Sequence, residues 1–367
     1  MAKPIIGAKT SSHRAKYPQK TTHANAPAPT RAAPPVREQP VPPAPAQTAS
    51  VQRLSIDEGS DGQRLDNFLI KTLKGAPKTL VYRIIRSGEV RVNKARASAD
   101  TRLTLGDEVR VPPVRLAESA QAGASAAPAR EFPILFEDDH LIALNKPAGV
   151  AVHGGSGVSF GVIEQLRQAR PQARFLELVH RLDKETSGVL LVAKKRSALV
   201  TLQDCFRHRT AHKTYAAMVI GHWPASRKVV DVALHKFLTA EGERRVKAVS
   251  GEDDDGRRSI TLVKVAQLFE RGAQAFSLLD VTIKTGRTHQ IRVHLAHEGH
   301  PIVGDEKYGD FALNKSLARG SLVEGSKFDR MFLHARDLRL PHPVTGEELC
   351  LTAPLPPECQ ALVDHLA

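Results

Sequence analysis

His180-Arg181-Leu182-Asp183-Lys184-Glu185-Thr186-Ser187-Gly188 runs directly into the unbroken apolar stretch Val189-Leu190-Leu191-Val192-Ala193. Five consecutive apolar residues behind a glycine read as a strand buried on both faces. The polar residues ahead of it then form a loop at the strand's entrance. That loop sets one carboxylate, Asp183, between the cations Arg181 and Lys184, which favours its ionised form and holds it in place. An anchored, ionised aspartate beside an arginine is a candidate nucleophile. Thr186 and Ser187 can hydrogen-bond locally and shape the loop, and Gly188 permits a tight turn where the backbone must come close to a substrate.

Strand signals continue on both sides of this motif. Residues 132–136 and 141–144, separated by the polar turn Glu137-Asp138-Asp139-His140, form a hairpin that leads into Asn145-Lys146-Pro147-Ala148-Gly149. Residues 162–170 read as a helix stopped by Pro171, 178–180 as a short strand and 197–207 as a second helix. Further strands are expected over 214–220, 259–265 and 276–284, with a helix over 290–296 capped near Gly299. Strands outnumber helices without strict alternation, so the fold class is α+β.

The region before this domain has a different texture. Residues 1–51 are Ala/Pro-rich, carry seven Lys and Arg against one acid, and read as a disordered basic tail. Residues 52–115 carry thirteen against eight. Leu65, Phe68, Leu69 and Leu73 recur at helical spacing, as do Leu80, Ile84 and Ile85 before a Ser87-Gly88 C-cap. A short strand over 90–94 follows, then the turn Gly106-Asp107 and a closing strand over 109–111. Lys78, Arg83 and Arg86 fall outside the apolar stripe of the second helix, and Arg91, Lys94 and Arg96 come next, which together make a phosphate-binding surface. Residues 116–130 read as an Ala-rich linker, leaving 131–367 for the larger domain.

Composition narrows the partner. Of a formal net charge of +14 over 367 residues, only +3 belongs to residues 116–367, so the basicity is concentrated upstream of the Asp183 motif. Such a bias points to a polyanion, nucleic acid before membrane, since no amphipathic aromatic helix accompanies it. No apolar run approaches the roughly 18 residues that cross a bilayer. Cys205, Cys350 and Cys359 form neither a disulfide framework nor a zinc ribbon. The first residues lack an apolar core for secretion, and their prolines would break a transit helix, so a cytoplasmic location is expected.

Two more segments complete the motif set: Lys213-Thr214-Tyr215, and Thr285-Gly286-Arg287-Thr288-His289-Gln290-Ile291-Arg292-Val293-His294. Together with the Asp183 stretch they closely resemble the RluA-type family of RNA pseudouridine synthases. The resemblance runs from about residue 132 to 354. Residues 64–66, 88–93 and 106–109 likewise resemble the S4 RNA-binding domain. The resemblance implies a mixed, mainly antiparallel catalytic sheet, no cofactor, and an RNA substrate. It implies that Asp183 is the catalytic aspartate, that Arg287 pairs with it through a bidentate guanidinium, and that Tyr215 stacks on the target base and takes part in proton transfer at C5. Arg181 would fill the stack vacated by an extruded uridine and hold a phosphate, with His180 beside it against the RNA. Lys146 and His153 resemble the family's first segment and read as an active-site wall. Lys264 lines an RNA groove or is a surface strand lysine. An S4 domain ahead of the catalytic domain resembles the RluC-like branch that modifies large-subunit (23S) ribosomal RNA, free or in an assembling particle, and a monomer is expected.

Three rival readings use the same residues. His289, His294, His297 and His300 cluster near Glu298 and Asp305, but without H-E-x-x-H spacing they make a weak metal site. Asp183 and Glu185 could be a glycosidase pair, yet two apart on an extended segment they stand too close for most two-carboxylate mechanisms. An RNA-binding protein without catalysis would be expected to have altered Asp183 or Tyr215. Residues 241–258 and 313–329 depart from the family pattern and read as polar loops, which bears on target choice more than on chemistry.

Overall fold

The computed structural model describes residues 50–367 apart from 74, 115–126, 156–157, 241, 252–253 and 321–326. The basic tail up to residue 49 and most of the linker therefore lie outside the described residues.

The first block builds its own core from the leucines and isoleucines at helical spacing. It runs β1 (Gln52–Ser55), α1 (Leu65–Thr72), α2 (Lys78–Arg86), β2 (Arg91–Val92), β3 (Ala95–Arg96) and β4 (Glu108–Val111), with sheet order β1-β4-β2-β3. Leu65, Leu69, Val81, Ile84, Ile85, Val90 and Val109 are buried together. The strand expected over 90–94 is cut to two residues. Asn93 and Lys94 adopt φ of 49° and 68°, the left-handed pair that a two-residue hairpin turn requires. Asn93 stabilises this turn by donating to Asp107 at 2.7 Å and accepting from the Glu108 N–H at 2.9 Å.

The larger domain continues with β5 (Ile134–Glu137), β6 (Leu141–Lys146), α3 (Val162–Ala169), β7 (Glu177–Leu178), β8 (Ser187–Ala193), α4 (Arg196–Arg207) and β9 (His212–Ile220). Then come β10 (Val229–Asp231), β11 (Ala233–Leu238), β12 (Arg244–Val249), β13 (Ile260–Arg271), β14 (Gln274–Ile283), α5 (Gln290–His297), α6 (Phe311–Arg319), β15 (Leu333–Pro341), β16 (Glu348–Thr352) and α7 (Pro357–Leu366). The main sheet has the order β10-β13-β14-β9-β15-β8-β6-β5, with β16 on β15 and β7 on β8. Its described pairings are antiparallel except β8 with β15.

Every residue of β8 is buried, because both faces of the sheet are covered there. Leu190 and Val192 belong to one core with Ile163 and Leu166 of α3 and Ile291 and Leu295 of α5, while Val189 and Leu191 belong to another with Leu199 and Leu202 of α4. That two-sided cover is what an uninterrupted apolar run reports. Gly188, at φ 110°, is needed for strand pairing rather than for approach to a substrate. A β-carbon there would lie 2.2 Å from the Ala335 carbonyl oxygen of β15. Ser187 also acts at long range, its hydroxyl meeting His334 at 2.9 Å and accepting from Arg330 at 2.7 Å.

The two stretches expected to be polar loops contain regular structure. Within 241–258, β12 pairs with β11 as a separate hairpin whose inner residues Leu234 and Val246 pack on Val293 of α5. Within 313–329 lies most of α6, opened by the Asp310 carboxylate, which accepts from the Ala312 and Leu313 N–H groups at 2.9 Å. Pairing with β11 and the apolar contact of Leu234 and Val246 with α5 make the first; the Asp310 cap makes the second.

Candidate active site

Leu182 is buried in the main core, and its neighbours Arg181 and Asp183 are thereby turned outward at the mouth of β8. The Thr186 N–H closes the turn on the Asp183 carbonyl at 3.2 Å. Beneath the turn, the fully buried Lys146 ammonium donates to the carbonyls of Pro147, Val150 and Lys184 at 2.7, 2.8 and 3.0 Å. Burial pushes this amine down to about 7, opposed by the nearby Glu185 and Asp183 carboxylates. Three acceptors match the three protons of an ammonium, so the charged form is the one this nest fits. Lys146 is thus a fastener for the Asp183 loop, more than the wall its sequence context suggested.

Asp183 opens onto a cleft of about 610 Å³ lined by His180, Arg181, Lys213, Tyr215, Arg287, His289 and Arg292. It also borders an adjoining cavity of about 600 Å³ that continues past Glu185, Thr288 and Lys307. Pockets of this size take a nucleotide-sized group.

The charge partner of Asp183 is Arg292, which replaces Arg287 in that role. Arg292 Nη1 lies 3.4 Å from Asp183 Oδ2, and its Nε and Nη2 hold Asp305 at 2.7 Å each. Burial works against the guanidinium's charge, but the Asp305 contact, supported by Asp183, outweighs it and raises Arg292 above its ordinary value. Arg287 stands exposed at the tip of the turn before α5, where it lines the cleft without an ion pair to Asp183. The motif contains both arginines, and only the packing of α5 selects the inward one.

Tyr215 sits on β9, aligned with Val281 of β14 and Ala335 of β15, and its side chain is 8% exposed. Burial and the Asp183 charge push its hydroxyl well above the usual phenol range, so it meets a substrate as a neutral ring with a protonated oxygen. His180 stacks on Phe206 with ring centroids 4.7 Å apart and accepts from the Leu191 N–H at 3.1 Å. Burial pulls its imidazole down to about 3. It therefore lines the cleft as a neutral, internally bonded ring and brings no charge to RNA.

His289 and Asp305, which in the sequence read only as part of a weak metal cluster, and Tyr308, which carries no signal there, also stand at the site. His289 Nε2 lies 3.9 Å from Asp183 Oδ2, and its Nδ1 lies 2.8 Å from the Tyr308 hydroxyl. Lys264 points elsewhere. It aligns with Asp280, whereas Val263 and Val281 share the face of Tyr215, so strand alternation sends Lys264 to the opposite side of the sheet. Arg83, Arg86 and Lys94 are exposed and Arg91 half-buried on the first block, and none of them lines either cavity. Lys71 of α1 reaches Glu177 of β7 at 3.0 Å, linking that block to the strand that leads into the Asp183 loop. Among the described residues no His, Cys, Asp and Glu cluster could hold a metal, and no helix is long and apolar enough to cross a membrane.

Residues 140–297 match the family model of RNA pseudouridylate synthase, and residues 63–109 match the S4 domain. Over 309 residues the chain is 50% identical to the ribosomal large subunit pseudouridine synthase C of Yersinia pestis, spanning 83% of this chain and 92% of that protein. The chain belongs to the RNA pseudouridine synthase family. The protein of the same name from Escherichia coli K12 is 49% identical over 313 residues, covering 84% of this synthase and 94% of its relative. The solved structure of human RNA pseudouridylate synthase domain containing 4 superposes with a TM-score of 0.51 at 29% identity, over 64% of this chain and 92% of that one. This synthase is an enzyme that acts on RNA, with a catalytic domain of mixed, mainly antiparallel sheet and an S4 domain before it.

Proposed function

We propose that this enzyme isomerises specific uridines of large-subunit (23S) ribosomal RNA to pseudouridine, with Asp183 as the carboxylate that works at the sugar. The observation that carries the reading is Asp183 itself: 29% exposed, anchored from behind by Arg292 and bordering the same cleft as Tyr215. The relatives' names supply the class of RNA.

The isomerisation breaks the bond from N1 to C1′, turns the uracil in its pocket, joins C5 to the same C1′, and moves one proton from C5 to N1. Nothing is oxidised and nothing is added, so the chemistry calls on no cofactor. A carboxylate beside C1′ either attacks it or stabilises the electron-poor sugar while the base turns. Arg292 fixes the direction from which that carboxylate approaches. Tyr215 offers a ring for the uracil to stack on while it is free of the sugar. The exposed guanidinium of Arg181, at the lip of the cleft, is suited to fill the gap left by an extruded base. Arg287 at the rim and Arg83, Arg86, Arg91 and Lys94 on the S4 domain are suited to backbone phosphates, which set register and carry no sequence information. This substrate goes with work in the cytoplasm, on free RNA or an assembling particle, by a single chain.

The test is Asp183→Asn, assayed for pseudouridine on large-subunit RNA by carbodiimide mapping, with RNA affinity measured alongside. Loss of product with affinity retained is expected. Full activity in the variant would remove the reading.

A further inference from the structure

His289 borders the cleft in a conformation that its surroundings have to enforce. Its backbone adopts φ 51° and ψ 21°, a left-handed geometry that residues with a β-carbon seldom take. The ring is held edge-on to Tyr308, centroids 5.6 Å apart, with Nδ1 2.8 Å from the Tyr308 oxygen and Nε2 3.9 Å from Asp183 Oδ2.

The hydrogen-bond pattern favours one tautomer of the ring. The Val246 N–H of β12 donates to the Tyr308 oxygen at 3.1 Å. The phenol accepts there, which leaves its own proton free for Nδ1 of His289, its partner at 2.8 Å. An accepting Nδ1 leaves the proton on Nε2, the nitrogen that faces Asp183. The charged groups around the ring are paired off: Arg292 with Asp305, and Lys307 with Glu243. Burial pulls the imidazole below its ordinary value, against the opposing pull of Asp183.

We propose that His289 is a positioning residue for Asp183: its Nε2–H closes on Oδ2 when a nucleotide fills the cleft, so that His289 and Arg292 together hold Oδ2 and present Oδ1 to the sugar. The proposal rests on the reading of Asp183 as the reacting carboxylate. The separation of 3.9 Å is too long for a hydrogen bond in the empty cleft, and a contraction of about 1 Å brings it into range. Catalytic contacts that tighten only around substrate behave in this way.

The experiment compares the full-length enzyme with His289→Phe, His289→Gln, Tyr308→Phe and Asp183→Asn in single turnover on one saturating large-subunit RNA fragment, with Kd and thermal midpoint recorded for each. Phe keeps a ring without a donor, Gln restores an N–H, and Tyr308→Phe removes only the hydroxyl while keeping the ring that lies 5.1 Å from the Arg292 guanidinium. His289→Phe should slow turnover by about 10- to 100-fold with Kd nearly unchanged, as expected for loss of a group that orients a functional one. His289→Gln should recover part of that loss, and Tyr308→Phe should be slowed as well because it frees the ring to carry its proton on Nδ1. Wild-type rates in both His289→Phe and Tyr308→Phe overturn the proposal and leave the function standing if Asp183→Asn is dead. An active Asp183→Asn overturns the reading beneath it instead.

Discussion

Arg292 Nη1 stands 3.4 Å from Asp183 Oδ2 while its Nε and Nη2 both grip Asp305 at 2.7 Å. One guanidinium, 5% exposed, thus ties a carboxylate of the cleft to one that is 1% exposed. Removing it strands Asp305 in the interior, and breaking such a buried pair costs about 3–5 kcal/mol. Arg292→Ala should therefore lose both turnover and stability. Arg287→Ala, at an exposed turn, should stay within about 0.5 kcal/mol of wild type and show its defect in RNA affinity. Denaturant unfolding beside single-turnover rates separates the two; an unstable Arg287→Ala with a normal Arg292→Ala would reverse the assignment.

Asp305 gives this linkage a pH signature. Burial alone would raise its carboxyl, but Arg292 and the N–H groups of Lys307 and Tyr308 bring it below the ordinary value. A carboxyl depressed in the folded state binds its proton more readily when unfolded. Its contribution is complete above the unfolded value of about 3.9 and is lost as pH falls from there through the lower folded value. Asp305→Asn should be less stable than wild type at pH 7, and the gap between them should narrow on acidification below about pH 4. Thermal midpoints across that range decide it, a gap that stays constant with pH being the contrary result.

Gly188→Ala should fail through strand pairing. The new methyl would sit 2.2 Å from the Ala335 oxygen, and φ 110° is closed to alanine in any case. The β8–β15 junction must then open directly behind the Asp183 loop. A loss above about 3 kcal/mol is expected from combined overlap and backbone strain, visible as a lowered unfolding midpoint. Gly286→Ala is the control, since nothing lies within 4 Å of its added carbon. Equal midpoints for the two variants would contradict the pairing role.

What the sequence made legible was local. The buried run 189–193, the loop that turns Asp183 outward and the helical spacing of Leu65, Phe68 and Leu69 each declare themselves within a few residues. What it hid depends on packing between distant segments. Arg287 and Arg292 share one motif, and only the packing of α5 beside Asp305 decides which meets Asp183. β12 reads as a charged loop because Val246 is its one buried residue, and the partner strand β11 supplies the rest. Lys264 shows the reverse, a cation plausible in isolation that strand parity sends to the far face.

Tyr215 should contribute its ring before its oxygen. With the hydroxyl held above the ordinary phenol range by burial and by Asp183, it stays protonated across the range in which RNA is handled. The rate–pH profile should accordingly show no phenol ionisation up to about pH 9. Tyr215→Phe should keep RNA affinity and slow a step after the glycosidic bond breaks, and Tyr215→Ala should lose the stacking surface as well, worth about 1–3 kcal/mol per base. A Phe variant as crippled in binding as the Ala variant would show that the ring is not what holds the base.

The S4 surface should act on affinity alone. Arg83, Arg86, Arg91 and Lys94 have no carboxylate partner among the described residues, unlike Arg64, which holds Asp66 at 2.8 Å. Each RNA phosphate left without its cation lowers the slope of log affinity against log salt by about 0.7–0.9. Replacing all four by Ala should reduce that slope by up to roughly 3, weaken binding most at low salt, and leave the single-turnover rate at saturating RNA unchanged. Filter binding across a salt series reads the first two and a rapid-quench assay the third. An unaltered slope would mean that these cations face solvent in the complex, and a reduced saturating rate would mean that the S4 domain also shapes the cleft.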